Sequence, residues 1–203
     1  KDDVLTSYAH RILYAHDASS YRIVPKGIVF PKTNEDISFM LVWAKKYSIG
    51  LTFRSAGTSL SGQAVGEGII IDCSRYWKDS SYNPETQLVT VQPGIIGGHV
   101  NRMLAKHQRK IGPDPASINA CMMGGILANN ASGMCCGIEY NSYHTISSIE
   151  CILPNGAVFD TSLPTADALL QNESHYIFNG LISIRNRILQ SPELTSIIRN
   201  KYR

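Results

Sequence analysis

The spacing of apolar and polar residues predicts a βαβ unit near the start of the chain. Residues 27–31 form a short apolar run closed by a proline, and residues 51–53 form a second apolar run. Residues 33–36 offer capping side chains for a helix between them, with Ile37, Met40, Leu41 and Ala44 on one face. Since βαβ units bind ligands at the carboxyl ends of their strands, a site is expected just after Phe53.

The same patterns predict elements on both sides of this unit. An amphipathic helix is predicted over residues 2–14, and residues 17–20 end it. Residues 87–91 alternate as a strand does, after a turn at residues 83–85, and Pro93 starts a helix. The apolar face of that helix consists of Ile96, Val100, Met103 and Leu104. A rigid connector is expected at residues 112–115, where two prolines stand.

A β-hairpin and a helical end complete the predicted elements. Residues 146–153 and 157–159 flank Asn155 and Gly156, a pair typical of a hairpin turn. The final part of the chain is predicted to be helical, with Ile177, Leu181, Ile184 and Ile188 on one face.

Two glycine-rich segments are the strongest candidates for a site. The first, residues 53–63, reads FRSAGTSLSGQ and leads into the strongly β-forming residues 69–71. A loop of small residues can turn successive backbone N–H groups toward one point, with Thr58 and Ser59 as further donors. This pattern favours a phosphate cradle, although an ordinary surface loop has a similar composition. The second segment, residues 124–133, reads GGILANNASG.

Neither segment matches the two common nucleotide motifs. The glycine spacing of residues 57–62 is that of a P-loop, but Gln63 and Ala64 follow where lysine and a hydroxyl residue are required. The dinucleotide motif G-x-G-x-x-G is absent from the sequence. ATP or GTP hydrolysis and a standard NAD site are therefore disfavoured.

Composition narrows the class of protein further. With 203 residues, 43% of them hydrophobic, the chain can bury a core of ordinary size as one domain or two small lobes. The net charge of +3 is mild and the basic residues are scattered, which argues against nucleic acid or a membrane surface as partner. The first residue is Lys1 and the last segment is basic, so the sequence is expected to be a piece of a longer protein.

The cysteines and histidines predict neither a metal site nor a disulfide framework. Five cysteines leave one unpaired in any disulfide scheme, and none has the C-x-x-C spacing of zinc or iron–sulfur sites. Adjacent Cys135 and Cys136 are interpreted as small buried residues rather than as a strained disulfide. The six histidines are dispersed. A reducing compartment is the simplest interpretation.

An ordered series of motifs resembles a known family. The series consists of VFPKT (29–33), RSAGTSLSG (54–62), GIIID (68–72), VQPG (91–94), GPD (112–114), GG (124–125), NNASG (129–133) and LPNG (153–156). In this order and spacing, residues 27–160 resemble the FAD-binding domain of the vanillyl-alcohol oxidase and p-cresol methylhydroxylase type. They are most similar to that of FAD-linked D-2-hydroxyacid dehydrogenases, such as the D-lactate and D-2-hydroxyglutarate enzymes.

The resemblance implies an α+β fold in two lobes, a small βαβ lobe and a larger, mainly antiparallel one, with FAD extended between them. It implies a domain at residues 24–163, after an N-terminal helical segment at 1–23. A helical segment at 164–203 would lead toward a substrate domain that this sequence does not contain.

The same resemblance assigns FAD-binding residues. The pyrophosphate would be held by Ser55, Ala56, Gly57, Thr58, Ser59 and Gly62. The ribityl chain and isoalloxazine edge would lie along Ala120, Cys121, Gly124, Gly125, Asn129 and Ser132. Ile149 would cover the adenine, although Cys121 and Ile149 are equally consistent with core positions. Members with covalent flavin have histidine where Thr58 stands, so noncovalent FAD is expected.

The reaction implied is hydride transfer from a D-2-hydroxy acid to the flavin, giving a 2-oxo acid. No catalytic residue is assigned, because in this family the base and the carboxylate clamp come mainly from the later substrate domain. The electron acceptor (a quinone, an electron-transfer protein or an iron–sulfur domain) would also lie outside this chain. The expected location is cytoplasmic, free or peripheral on the inner face of the membrane. Two alternatives stay open: an FAD enzyme acting on another substrate class, and a non-catalytic binding module.

Overall fold

The computed structural model describes residues 2–201, and the chain divides after Ser147 into two compact units. The first unit contains the predicted βαβ region and both glycine-rich segments. The second contains the predicted hairpin and the helical end. The predicted α+β class, with a small parallel lobe, is confirmed.

A four-stranded sheet forms the first part of the first unit. Its strands are β1 (Val4–Leu5), β2 (Gly27–Val29), β3 (Leu51–Arg54) and β4 (Ile69–Asp72), in the order β1-β2-β4-β3. Strands β2, β4 and β3 are parallel, whereas β1 pairs antiparallel with β2. Ile28, Ile70 and Ile71 are fully buried, as continuous apolar runs in parallel strands require. The βαβ prediction is confirmed, with β4 inserted between its two strands.

The helix of this unit, α2 (Asn34–Tyr47), begins with the predicted capping residues. The Thr33 hydroxyl accepts from the Asp36 backbone N–H at 3.3 Å, and the Asp36 carboxylate accepts from the Thr33 N–H at 3.2 Å. This reciprocal capping box satisfies two N–H groups that the first turn would otherwise leave unpaired. Helix α2 returns the chain to β3 and so places the first glycine-rich segment at the carboxyl end of that strand.

The helix predicted over residues 2–14 is wrong at its beginning. Residues 4 and 5 are strand β1, and helix α1 spans only Tyr8–Leu13, with Ser7 as its N-cap. The reason is tertiary: the open edge of β2 offers hydrogen bonds to Val4 and Leu5, while Asp3 forms an ion pair with Lys32 at 2.6 Å. Helical periodicity alone could not show that edge.

The second part of the first unit builds a separate core. Strands β5 (Ser80–Asn83) and β6 (Leu88–Val91) form an antiparallel hairpin, of which only β6 was predicted. Helices α3 (Gly97–Ala105), α4 (Met123–Ala128) and α5 (Ser142–Thr145) follow. Val100 and Leu104 of the predicted stripe are buried, as are Cys121 and Ile126 from the later segment. This core fixes the position of α4, which carries the glycines of the second segment.

The second unit consists of a hairpin and three helices. Its elements are β7 (Glu150–Ile152), β8 (Val158–Asp160), α6 (Ala166–Glu173), α7 (His175–Gln190) and α8 (Pro192–Lys201). The hairpin prediction is confirmed with shorter strands. The antiparallel strands β5 to β8 thus form two separate two-stranded sheets. The predicted stripe of α7 exists, but Leu181 and Ile184 are 53% and 50% exposed. Across residues 2–201, every helix is too short or too polar to span a membrane.

Candidate functional site

The first glycine-rich loop leaves the carboxyl end of β3 and returns to β4. Gly57 and Gly62 have φ angles of +69° and +73°, in the left-handed region that favours glycine. The backbone N–H groups of residues 56–59 donate a hydrogen bond to no acceptor within residues 2–201. Four successive donors are therefore available to a ligand, which fits an anion such as a pyrophosphate.

The guanidinium group of Arg54 lies against this loop, a contact that was not predicted from the sequence. Arg54 Nη1 donates to the carbonyl oxygens of His16 at 2.7 Å and Ala64 at 3.3 Å. A Cβ placed on Gly57 would lie 2.5 Å from Arg54 Nη2. The loop lacks the lysine of a P-loop but packs on a permanent positive charge, which adds to its attraction for anions. The only sequence signal was the position of Arg54 directly before the loop.

Neighbouring titratable groups are structural. The Tyr14 hydroxyl donates to the buried Asp72 carboxylate at 2.7 Å, and the Arg54 guanidinium lies 5.2 Å from the centre of the Tyr14 ring. Burial, followed by the Asp72 hydrogen bond, raises the pKa of Tyr14 above its ordinary value. Burial also raises the pKa of the Cys73 thiol to about 12, so that this thiol is neutral at physiological pH. Neither group is suited to act as a base or a nucleophile.

The second glycine-rich segment meets the first at Gly124. The Gly124 N–H donates to the Pro93 carbonyl oxygen at 2.9 Å, and the Ser55 hydroxyl donates to the same oxygen at 3.4 Å. A Cβ on Gly124 would lie 2.7 Å from Pro93 Cβ and 2.9 Å from Ser55 Oγ. Glycine therefore permits the close approach of the two segments. The adjacent Gly125 is exposed, and its N–H has no acceptor in the described part of the chain.

A pair of side-chain amides connects the segments a second time. Gln63 Nε2 donates to Asn129 Oδ1 at 2.7 Å, and Asn129 Nδ2 donates to Gln63 Oε1 at 3.2 Å. Asn129 was a predicted site residue, whereas Gln63 was noted only because it replaces the P-loop lysine. The structure thus joins the two segments at two places, Ser55 with Gly124 and Gln63 with Asn129.

The remaining predicted residues have different surroundings. Ala120 is exposed just before α4, and Ser132 is exposed in the loop after it. The Cys121 side chain is 5% exposed within the core, while its N–H and carbonyl oxygen bond to Ser117 and Gly97. Cys121 is thus a core residue. Ile149 is 43% exposed and belongs to the second unit, so its role at the adenine stays a prediction.

The cysteines form neither a disulfide nor a metal site within residues 2–201. All five cysteines are free. Cys136 is buried, but Cys135 is exposed, so the interpretation of both as buried residues is wrong for Cys135. The Cys135 and Cys136 N–H groups both donate to the Asp114 carboxylate, and of the two side chains only that of Cys136 enters the protein interior. Residues 2–201 contain no group of three or more His, Cys, Asp or Glu side chains suited to a metal ion.

The fold is an α+β domain in which a lysine-free loop with open N–H groups follows a parallel strand and contacts a glycine-bearing helix, an arrangement suited to a phosphate-containing cofactor. The family described as FAD binding domain matches residues 25–162. The chain belongs to this FAD binding domain family, and the predicted cofactor, FAD, is confirmed.

Curated relatives and solved structures agree with this assignment. D-2-hydroxyglutarate dehydrogenase of Haemophilus influenzae is 32% identical over 84% of this chain and 17% of its own length. Glycolate oxidase subunit GlcD of Escherichia coli is 33% identical over 65% of this chain and 27% of its own length. A solved structure of p-cresol methylhydroxylase with substrate bound has the same fold, with a TM-score of 0.65 and 18% identity over 81% of this chain and 34% of that one. The chain thus spans less than a third of either curated relative.

Proposed function

We propose that this chain is the FAD-binding part of an oxidoreductase that converts a D-2-hydroxy acid to the corresponding 2-oxo acid. One observation carries the proposal: four open backbone donors at residues 56–59 lie in the segment that meets Gly124 and Asn129 of the second segment. A cofactor with a pyrophosphate and a flat ring system matches such a pair of segments. D-2-hydroxyglutarate and glycolate, named in the relatives above, are both 2-hydroxy acids.

Each part of the site has a stated task in this proposal. Residues 56–59 and Gly62 hold the pyrophosphate, and the positive charge of the adjacent Arg54 adds to the attraction. Gly124 lets the two segments approach each other, the exposed Gly125 allows close approach of the ring system, and the open Gly125 N–H offers it a hydrogen bond. The chemistry that FAD supplies in such enzymes is acceptance of a hydride. In this proposal the residues that bind the hydroxy acid and remove its hydroxyl proton come from outside this chain, as does the electron acceptor. The proposed location is cytoplasmic, free or peripheral on the inner face of the membrane.

The direct test uses the full-length protein. We expect a yellow preparation whose thermal midpoint rises when FAD is added, because a ligand that binds only the folded state stabilises it. Denaturation followed by ultrafiltration should release all of the flavin, since Thr58 cannot form a covalent link. Under anaerobic conditions D-2-hydroxyglutarate, D-lactate and glycolate are added separately, and one of them should bleach the flavin absorption.

The control for D-lactate and D-2-hydroxyglutarate is the corresponding L-enantiomer, which should leave the absorption unchanged; glycolate is achiral and has no such control. Flavin binding without bleaching by any 2-hydroxy acid would support an FAD enzyme of another substrate class. An unchanged thermal midpoint and no bound flavin would contradict the proposal and favour a non-catalytic binding module.

A further inference from the structure

Residues 15–22 form a closed loop that packs on the first glycine-rich segment. Its ends are joined by an antiparallel bridge between His16 and Arg22 and by a hydrogen bond from the Ile23 N–H to the Ala15 carbonyl oxygen at 3.0 Å. Ala15 is fully buried, so the loop is anchored in the core at its base. We call residues 15–22 the brace.

The brace contacts both ends of the glycine-rich loop. At the first end, the Ala18 N–H donates to the Gly57 carbonyl oxygen at 3.0 Å. At the second end, the Ala64 N–H donates to Asp17 Oδ2 at 3.3 Å. Near that end the Tyr21 ring covers Gly62, since a Cβ there would lie 2.6 Å from Tyr21 Cδ2. These contacts fix the backbone at Gly57, within the open segment, and at Gly62 and Ala64 after it, and they use none of the N–H groups of residues 56–59.

Asp17 uses one carboxylate oxygen within the brace and the other to hold the end of the glycine-rich loop. Oδ1 accepts from the Ser19 N–H at 2.9 Å and from the Ser19 hydroxyl, whereas Oδ2 accepts from Ala64. Burial would raise the pKa of Asp17, but the hydrogen bonds from Ser19 and Ala64 and the Arg54 charge outweigh burial and lower it. The carboxylate is thus charged at neutral pH. An asparagine at this position would have a single side-chain oxygen, which could not accept from both Ser19 and Ala64.

We propose that the brace preorganises the pyrophosphate loop for FAD and that Asp17 is its main positioning residue. A loop whose backbone is already held in place loses less conformational freedom when the ligand binds, so the affinity is higher. The family match begins at residue 25, so the brace lies outside the matched residues. This inference rests on the proposed FAD-binding function.

The test compares Asp17→Ala with wild type in the full-length protein. We expect the dissociation constant for FAD to rise about tenfold, the effect of losing a hydrogen bond to a charged group. Without FAD, amide exchange should accelerate at Ser19 and Ala64, whose N–H groups lose the Asp17 carboxylate, and stay unchanged in strand β2. Asp17→Asn keeps one acceptor oxygen and should give an intermediate loss of affinity, which provides the test if the alanine variant does not fold.

The chain offers a matched control in Asp160→Ala. Asp160 accepts from the Ser162 N–H at 2.7 Å, the same Asp-x-Ser arrangement, but in the second unit. This variant should bind FAD as wild type does. If wild type binds FAD and both Asp17 variants bind it as tightly as wild type does, the brace has no positioning role and the inference is wrong. If wild type binds no FAD, the proposed function itself is wrong.

Discussion

Full-length protein carrying Gly57→Ala should bind FAD about 100-fold more weakly than wild type, a loss of about 2.7 kcal/mol. Gly57 has a φ of +69°, where a residue with a Cβ is strained by about 1–2 kcal/mol. The new methyl group would also lie 2.5 Å from Arg54 Nη2 and 2.8 Å from Arg54 Cζ. Either the guanidinium or the loop must move, and both are parts of the cradle. Titration of the apoprotein with FAD measures the effect.

Gly137→Ala separates this local effect from backbone strain in general. Gly137 also has a positive φ, +53°, but a Cβ there would meet no atom within 4 Å. It has a similar backbone cost and should keep wild-type affinity for FAD. Equal affinities of the Gly57 and Gly137 variants would contradict the assignment of residues 55–62 to the cofactor.

Of the substitutions proposed, Gly68→Ala should destabilise the protein most, lowering the opening free energy of the four-stranded sheet by about 3 kcal/mol. A Cβ on Gly68 would lie 1.8 Å from the Gly50 carbonyl oxygen and 2.6 Å from its carbon. Those atoms are backbone at the start of β3, and the same oxygen accepts from the Ile69 N–H at 3.0 Å. Relief therefore requires separating β3 from β4. Amide exchange of Ile70 and Ile71 in the full-length protein measures the opening free energy of that sheet.

Gly50→Ala is the natural comparison, because it changes the other partner of the same contact. A Cβ on Gly50 would meet nothing within 4 Å, and its φ is not in the left-handed region. We expect a change within about 0.5 kcal/mol. A Gly68 variant as stable as the Gly50 variant would show that β3 and β4 are less closely packed than described.

The parts of the fold that local patterns determine could be predicted from the sequence. Thr33 and Asp36 cap α2 through residues three apart, and Asn155 and Gly156 form a turn between adjacent strands, so each signal is complete within a few residues. The position of β4 between β2 and β3 and the pairing of β1 depend on partners far along the chain. Periodicity contains no information about them, which explains the error over residues 2–14.

The site shows the same division between local and distant information. The open N–H groups of residues 56–59 follow from a run of small residues, and the sequence predicted them. The hydrogen bonds that hold this loop could not be predicted, because they join residues far apart in the chain. Arg54 donates to His16, 38 positions away, and Gln63 donates to Asn129, 66 positions away. From the sequence, Cys121 was equally consistent with the cofactor site and with the core. Its side chain packs in the cluster with Val100, Leu104 and Ile126, which only the structure could show.

Amide hydrogen exchange of the full-length protein, with and without saturating FAD and at sub-second labelling times, tests the central claim most directly. Residues 56–59 and Gly125 have open N–H groups in the structure and should exchange rapidly without cofactor. We predict strong protection of these five positions once FAD binds. Saturation of the flavin absorption with exchange unchanged at residues 56–59 and Gly125 would contradict the account.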